Sequence, residues 1–314
     1  MTPTIRSPSP KARVGEYNDA THAEDASALI IGEHGYKHRL LDSRVMPPFI
    51  TPTRYALSRR IRTRDSDICF SSYPKSGSTW LSYIIFLLTD SASARDTIQS
   101  SLIWVESSWT YLRSEAEVEA ASEPRVFKSH MPYDMALGGV PAENKGRYIY
   151  IARNPKDVVT SYYRFESGKS WTGFYDGGWE HWLGMFVDGK VQRGDWFHHV
   201  LSWWEASQRA ENILFVKYED LKRDTTAEIR RIAEFLGKSQ LTEERMTEIE
   251  SKIGFEEMKK DKFSSLGDVK EFNQFFRKGE IGSWKDQFTV RQSEMFDQLC
   301  EERMSGSGLH FDYE

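Results

Sequence analysis

The stretch Cys69 to Leu88, CFSSYPKSGSTWLSYIIFLL, follows a short β-prone run (Ile68, Cys69, Phe70) with a loop of Pro, Lys, Gly and hydroxyl residues, then with apolar residues at helical spacing. Strand, loop and helix in that order make an anion site. Pro74 fixes one φ angle, and Gly77 lets the chain turn tightly enough for successive N–H groups to converge. The helix that follows adds its unsatisfied N–H groups and the positive end of its dipole. Lys75 contributes a full charge, and Ser76, Ser78 and Thr79 contribute hydroxyl donors. A phosphate group is the natural occupant. The plain alternative is a helix N-terminus with an incidental lysine.

In the ATP-binding loop GxxxxGK[ST] the lysine follows the second glycine. Here Lys75 comes first and the leading glycine is absent, which argues against a kinase or ATPase. Outward from the loop, strand-like and helix-like segments alternate. Arg125 to His130, RVFKSH, is a short β-like run. Arg147 to Ala152, RYIYIA, reads as a parallel core strand and runs into RNPKDVVTSYY, where Pro155 and Asp157 mark a helix start. Phe197 to Ala210 reads as a buried helix. Asn212 to Tyr218, NILFVKY, is another strand, followed by one amphipathic helix from Asp220 to Leu236 that ends at Gly237. Such alternation implies an α/β fold with a doubly wound parallel sheet. Open α/β sheets bind ligands beyond the carboxyl ends of their strands, so Lys128 and His130 should emerge on the edge that carries the phosphate loop.

The whole chain sets the bounds. Its 314 residues, 39% apolar and 13% aromatic, suit one large α/β domain with a tail. With 42 Lys and Arg against 47 Asp and Glu, the net charge of −5 gives no polybasic character for nucleic acid or a membrane surface, so any anion must be held by a local cluster. Cys69 and Cys300 read as reduced core thiols. No apolar run reaches the roughly 20 residues of a membrane span, and the N-terminus lacks the apolar segment of a signal peptide. A soluble, cytoplasmic protein is the expectation. Residues 1–40, rich in Pro, Ser, Thr, Gly and charge, read as a flexible extension. His34 and His38 could share a helical face as metal ligands, but Gly32 and Gly35 weaken a helix there and no third ligand is evident. The basic run Arg59, Arg60, Arg62 and Arg64 reads as a solvated face rather than a ligand site. Trp104 and Trp109 serve equally as core edges or as walls of an acceptor pocket. Trp171, Phe174 and Trp182, in a Gly-rich aromatic segment, could line a lid over the site or pack in the core.

From about residue 65 to the end, four ordered motifs resemble the cytosolic-type sulfotransferases that transfer a sulfonyl group from PAPS (3′-phosphoadenosine 5′-phosphosulfate) to small molecules. The resemblance implies a single domain, 41–314, with a central parallel sheet flanked by helices in a P-loop NTPase-like topology. YPKSGSTW would hold the 5′-phosphosulfate through Lys75, Ser76, Gly77, Ser78 and Thr79. In KSH, His130 would be the catalytic base, with Lys128 and Lys75 as catalytic cations. Arg153 and Ser161 would grip the 3′-phosphate together with Arg277, Lys278 and the backbone of Gly279 in RKGEIGSWK. Trp80 and Tyr218 would meet the adenine, although Trp80 could equally be a core residue. Phe255 and Met258 echo a further nucleotide-contacting segment, but Ile253 and Gly254 stand where Thr and Ser are common, and Ser283 replaces a usual aspartate. Lys285, Thr289, Val290 and Glu294 fall in the spacing KxxxTVxxxE, which resembles a dimerisation motif and implies a homodimer. PAPS as donor, PAP (adenosine 3′,5′-bisphosphate) as product, no metal, and a phenol, alcohol or amine acceptor complete the implied chemistry. Its rivals are a P-loop NTPase or small-molecule kinase and a non-catalytic nucleotide-binding protein of the same fold.

Overall fold

The computed structural model describes residues 29–90, 97–108, 114–167, 175–261 and 279–314. Three short antiparallel strands come first, β1 (Ile30–Ile31), β2 (Lys37–Leu41) and β3 (Arg44–Met46). In them Ile30 pairs with His38, and Arg39 with Met46. Arg39 is buried there, its Nε donating to Pro48 O at 2.8 Å. Helix α1 (Pro52–Arg60) starts from Thr51, whose hydroxyl accepts from Arg54 N, with proline at its first position. The basic run at its end behaves as a structural face. Arg59 donates to the carbonyls of Ala136 and Gly139, Arg60 pairs with Glu115, and Arg64 pairs with Glu119 and Glu123.

The central unit is built from β4 (Ile68–Ser71), α2 (Ser78–Leu88), the short α3 (Ile98–Ser101) and α4 (Glu115–Glu119), β5 (Val126–Ser129), β6 (Arg147–Ala152), α5 (Pro155–Glu166), α6 (Trp179–Val187), α7 (Trp196–Ser207) and β7 (Ile213–Lys217). Then follow α8 (Tyr218–Arg223), α9 (Thr225–Phe235), α10 (Glu243–Ile253), α11 (Phe255–Lys260) and α12 (Val290–Met304). The four strands pair in parallel in the order β5-β4-β6-β7, with Ile68 opposite Val126 and Arg147, and Tyr148 opposite Ile213.

Side chains alternate across the sheet and each face is covered, which is why the strands read as near-continuous apolar runs. Ile68, Phe70, Ile149 and Ile151 face a core shared with Ile84 and Ile85 of α2 and with Ile229 and Ile232 of α9. Cys69, Tyr148 and Tyr150 face the other core, with Val158, Val159, Tyr162 and Trp203. Leu81, Ile84 and Ile85 of α2 are fully buried, each worth about 1.5–3 kcal/mol relative to exposure. At the amino end of the sheet Arg125 and Asp67, both fully buried, pair at 2.5 Å, and the guanidinium also donates to Arg62 O at 2.9 Å. The single helix expected from Asp220 to Leu236 is two. Asp224, with φ −135°, leaves the helical region and its carboxylate accepts from Ala227 N, which ends α8 and caps α9.

The strand order places a topological switch between β4 and β6. The chain leaves β4 for one side of the sheet and leaves β6 for the other, so the loops after these strands part and open a crevice at their carboxyl ends. Those loops begin at Ser72 and at Arg153. Among the described residues no helix is long and apolar enough to cross a membrane.

Candidate active site

The loop after β4 adopts the tight anion-binding shape. Lys75 has φ 71° and Gly77 φ 101°, and Gly77 is the N-cap of α2. A Cβ on Gly77 would lie 2.8 Å from Tyr218 Cδ2, so glycine is required both by φ and by the close approach. The Tyr218 ring meets Trp80 edge to face, centroids 5.6 Å apart. Lys75 Nζ stands 4.3 Å from the Phe165 ring centroid. Ser78 and Thr79 form the half-buried first turn of α2.

On the other flank of β4 from the crevice, β5 ends on the catalytic candidates. His130 is buried, and its Nδ1 lies 2.9 Å from the carbonyl oxygen of Ser72. A carbonyl only accepts, so Nδ1 carries the proton and Nε2 keeps its lone pair. Burial, then the charges of Lys128 and Arg193, hold the pKa of His130 well below 6.5. Lys128 lies 4.5 Å from the Trp104 ring centroid, and the same ring meets His130 edge to face at 5.6 Å. Burial, assisted by Arg193, lowers the Lys128 pKa to about 8. This strand end is pinned from several sides. His199 Nε2 donates to His130 O at 3.1 Å while Tyr150 OH donates to its Nδ1 at 2.8 Å. Trp203 Nε1 and Ser71 Oγ both donate to Met131 O, and Ser129 Oγ donates to Glu106 at 2.7 Å.

The third wall follows β6. Arg153 is buried, its guanidinium 4.6 Å from the Tyr218 ring centroid, paired with Asp157 at 3.1 Å and donating to Glu280 O at 2.7 Å. Asp157 also accepts from Gly282 N, Ser283 Oγ and Trp284 N, so one carboxylate ties the start of α5 to residues 282–284. Ser283, the departure from the family pattern, thus serves as a donor to Asp157. Gly279, φ 65°, lies against Phe255, where a Cβ would stand 2.7 Å from Cδ2. Met258 is buried in the α2-side core, and Ser161 is half-buried on α5. Behind Arg153, burial raises the Glu219 carboxyl to about 7 while its Oε1 accepts from Asn154 N and Nδ2.

The described residues thus bring Lys75, Ser76, Gly77, Trp80, Lys128, His130, Arg153 and Tyr218 to one end of the sheet. Trp109, Trp171, Phe174, Arg277 and Lys278 lie outside the described residues. Trp104 lines the site beside Lys128 and His130. Trp182 does not: it is fully buried against Tyr36, Tyr162, Tyr163 and Tyr175, with Nε1 donating to Val159 O, because the apolar face of α6 turns into the core. Of the motif at α12, Thr289 is the N-cap in a reciprocal pair with Gln292, Lys285 pairs with Glu314, and Val290 and Glu294 are exposed. The two histidines considered as metal ligands separate, since His38 Nδ1 faces Tyr36 O while the His34 ring meets that of His181. Reading the sequence missed Glu106, Arg193 and His199, single residues in no motif, and Ser72, which directly precedes YPKSGSTW and acts through its carbonyl.

Whether these residues fit a nucleotide can be judged from their polar atoms. Ser76 Oγ, Trp80 Nε1 and Arg153 Nε are buried with no hydrogen-bond partner among the described residues. Three unused donors around a glycine-bounded anion loop and an aromatic pair fit an anionic, ring-bearing ligand.

Residues 65–308 match the sulfotransferase domain. The chain belongs to the sulfotransferase family. It is an enzyme of the PAPS-dependent class. Mouse sulfotransferase 1B1 is 39% identical to this sulfotransferase over 78% of its chain and 85% of the relative. Human sulfotransferase 2A1 is 37% identical over 77% and 85%, respectively. Among solved structures, mouse SULT7A1 complexed with PAP superposes with a TM-score of 0.72 at 27% identity, covering 86% of this chain and 96% of that one. A retinol dehydratase complexed with androsterone and PAP, 22% identical, shares the fold with a TM-score of 0.73 over 90% of this chain and 91% of that one. The sulfotransferase therefore carries the P-loop NTPase-like sheet expected of it, with Lys75 and Arg153 at the switch point.

Proposed function

We propose that this sulfotransferase moves the sulfonyl group of PAPS onto a hydroxyl or amine of a small-molecule acceptor by in-line displacement, with His130 as general base. The observation that carries the reading is the fixed tautomer of His130: Nδ1–H is held by Ser72 O, and Nε2 is left unprotonated in a buried site. A neutral imidazole can take the acceptor's proton as the acceptor attacks sulfur. Bound PAPS supplies the activated S–O bond and a bisphosphate leaving group.

The chain's own groups do the rest. Lys75 neutralises charge at the leaving phosphate, and Lys128 holds the sulfonyl oxygens. Ser76, Gly77, Ser78 and Thr79 bind the 5′ side through N–H and hydroxyl donors, while Arg153 and Ser161, with Arg277, Lys278 and the Gly279 backbone, take the 3′-phosphate. Trp80, Tyr218, Phe255 and Met258 form the adenine end. As in phosphoryl transfer, positioning and preorganised charge supply most of the rate, and lysines and hydroxyls fill the cationic role without a metal. SULT7A1 and the retinol dehydratase hold PAP, which supports the same donor here. Trp104 and the apolar residues beside it, Phe49, Ile50, Met131 and Met135, suit an acceptor with apolar surface. A cytoplasmic enzyme is in keeping with the zebrafish cytosolic sulfotransferase 1, 34% identical over 81% of this chain.

The test is titration with PAP and with ATP, followed by PAPS with a panel of phenols, alcohols and amines. Tight, selective PAP binding with sulfonation of a panel member is the expected result. Preference for ATP, or ATP hydrolysis with Mg²⁺, would overturn the role given to Lys75.

A further inference from the structure

Arg193 lies between α6 and α7, only 2% exposed and with φ 78°. A non-glycine residue is uncommon in that backbone region and is held there by its surroundings. Its N–H donates to Val45 O at 2.7 Å. Its Nη1 faces two thioether sulfurs, Met131 Sδ at 3.6 Å and Met46 Sδ at 3.9 Å. Among the described residues no carboxylate lies within ion-pairing distance of the guanidinium. A buried guanidinium whose near partners are methionine sulfurs is compensated only at longer range, by the charge of Glu106, and lacks a directly bonded oxygen partner.

Its position says what could compensate it. Met131 follows His130 directly, and Met46 and Met131 belong to the apolar cluster of Leu41, Phe49, Ile50, Trp104 and Met135. Trp104 in turn touches His130 and covers Lys128. Arg193 and the base therefore flank one apolar cluster. The buried carboxylate in this region, Glu106, accepts from Ser129 through Oε1, and its Oε2 has no hydrogen-bond partner. Two buried cations, Lys128 and Arg193, thus face one carboxylate. Glu106 acts on both cations through space but reaches neither as an ion pair among the described residues, so the Arg193 fork is left without a carboxylate in direct contact.

We infer that the acceptor carries a carboxylate that Arg193 binds through its planar fork while the acceptor's hydroxyl or amine meets His130. This rests on the sulfotransferase reading of the same site and adds the acceptor's chemical class. An arginine pairs with a carboxylate through two parallel N–H bonds, whereas a neutral amide of the same shape leaves the guanidinium charge unmatched.

The experiment uses the full chain saturated with PAP. Three matched pairs are titrated calorimetrically into wild type, R193M and R193K: 3-(4-hydroxyphenyl)propionate, 6-hydroxyhexanoate and 6-aminohexanoate, each beside its primary amide. In at least one pair the carboxylate should bind wild type more tightly than the amide by roughly ten- to a hundredfold. That ratio should fall towards one in R193M and stay intermediate in R193K, with PAP binding reporting that each variant is folded. Amides binding as well as carboxylates in all three pairs, or a ratio unchanged in R193M, overturns the inference. Failure of wild type to bind PAP at all would instead overturn the reading of the donor site, and this inference with it.

Discussion

At the scale of single residues the proposed mechanism depends on two opposite protonation states kept side by side. His130 acts as a base only when neutral, and burial with the charges of Lys128 and Arg193 keeps it neutral well below pH 6.5. Lys128 acts only when charged, and burial brings its pKa down to about 8. The working window lies above the first value and below the second. kcat/KM should therefore be level near neutrality, show no acid limb at pH 6.5 or above, and fall as pH rises through about 8. Lys128→Arg should carry the alkaline limb upward, because a guanidinium stays charged there. An acid limb at pH 7 would remove the desolvated imidazole from the mechanism. Lys75, Lys128 and His130 were legible because each sits in a motif at a strand end. Arg193 was not. In VQRGDW it looks like any turn arginine, and only the three-dimensional approach of Met46 and Met131 makes it a buried cation.

At the scale of elements, the junction of β4, its loop and α2 is the most constrained part of the site. Gly77→Ala would force a left-handed residue to carry a Cβ, at about 1–2 kcal/mol of backbone strain, and would press that Cβ against Tyr218. We expect the variant to melt at lower temperature and to bind PAP at least about tenfold more weakly, since N–H convergence on the anion depends on that turn. Calorimetric titration and thermal unfolding would check both, and wild-type PAP affinity would show that the turn tolerates a side chain. The strands were readable from sequence because parallel strands buried on both faces are apolar runs. The end of α8 was not, since Asp224 interrupts a continuous amphipathic pattern with a cap rather than with a glycine or proline. Trp182 could not be assigned either, because its burial depends on tyrosines from β2's flank and α5 that converge only in the fold.

At the scale of the whole molecule, the alternation of strands and helices announced a parallel sheet, but the order β5-β4-β6-β7 depends on long-range pairing that no local pattern encodes. The switch point, and with it the placing of the Lys75 loop and Arg153 on its two sides, comes from that order. Association between copies belongs to this scale too. Val290 is 76% exposed and Met295 48% exposed on α12, and in sequence Lys285 and Glu294 flank Thr289 and Val290 with opposite charges that can complement themselves about a twofold axis. We propose a small, weak homodimer there, and expect Val290→Glu to shift the protein to monomer in sedimentation velocity. Identical sedimentation of wild type and variant would dismiss this face as the interface. The proposed mechanism turns on one lone pair, and the most direct measurement compares His130→Gln with wild type in PAPS turnover and in PAP affinity. The account predicts a turnover loss of about 10²- to 10⁴-fold or more with PAP affinity changed by less than about threefold. Turnover near that of wild type would contradict it.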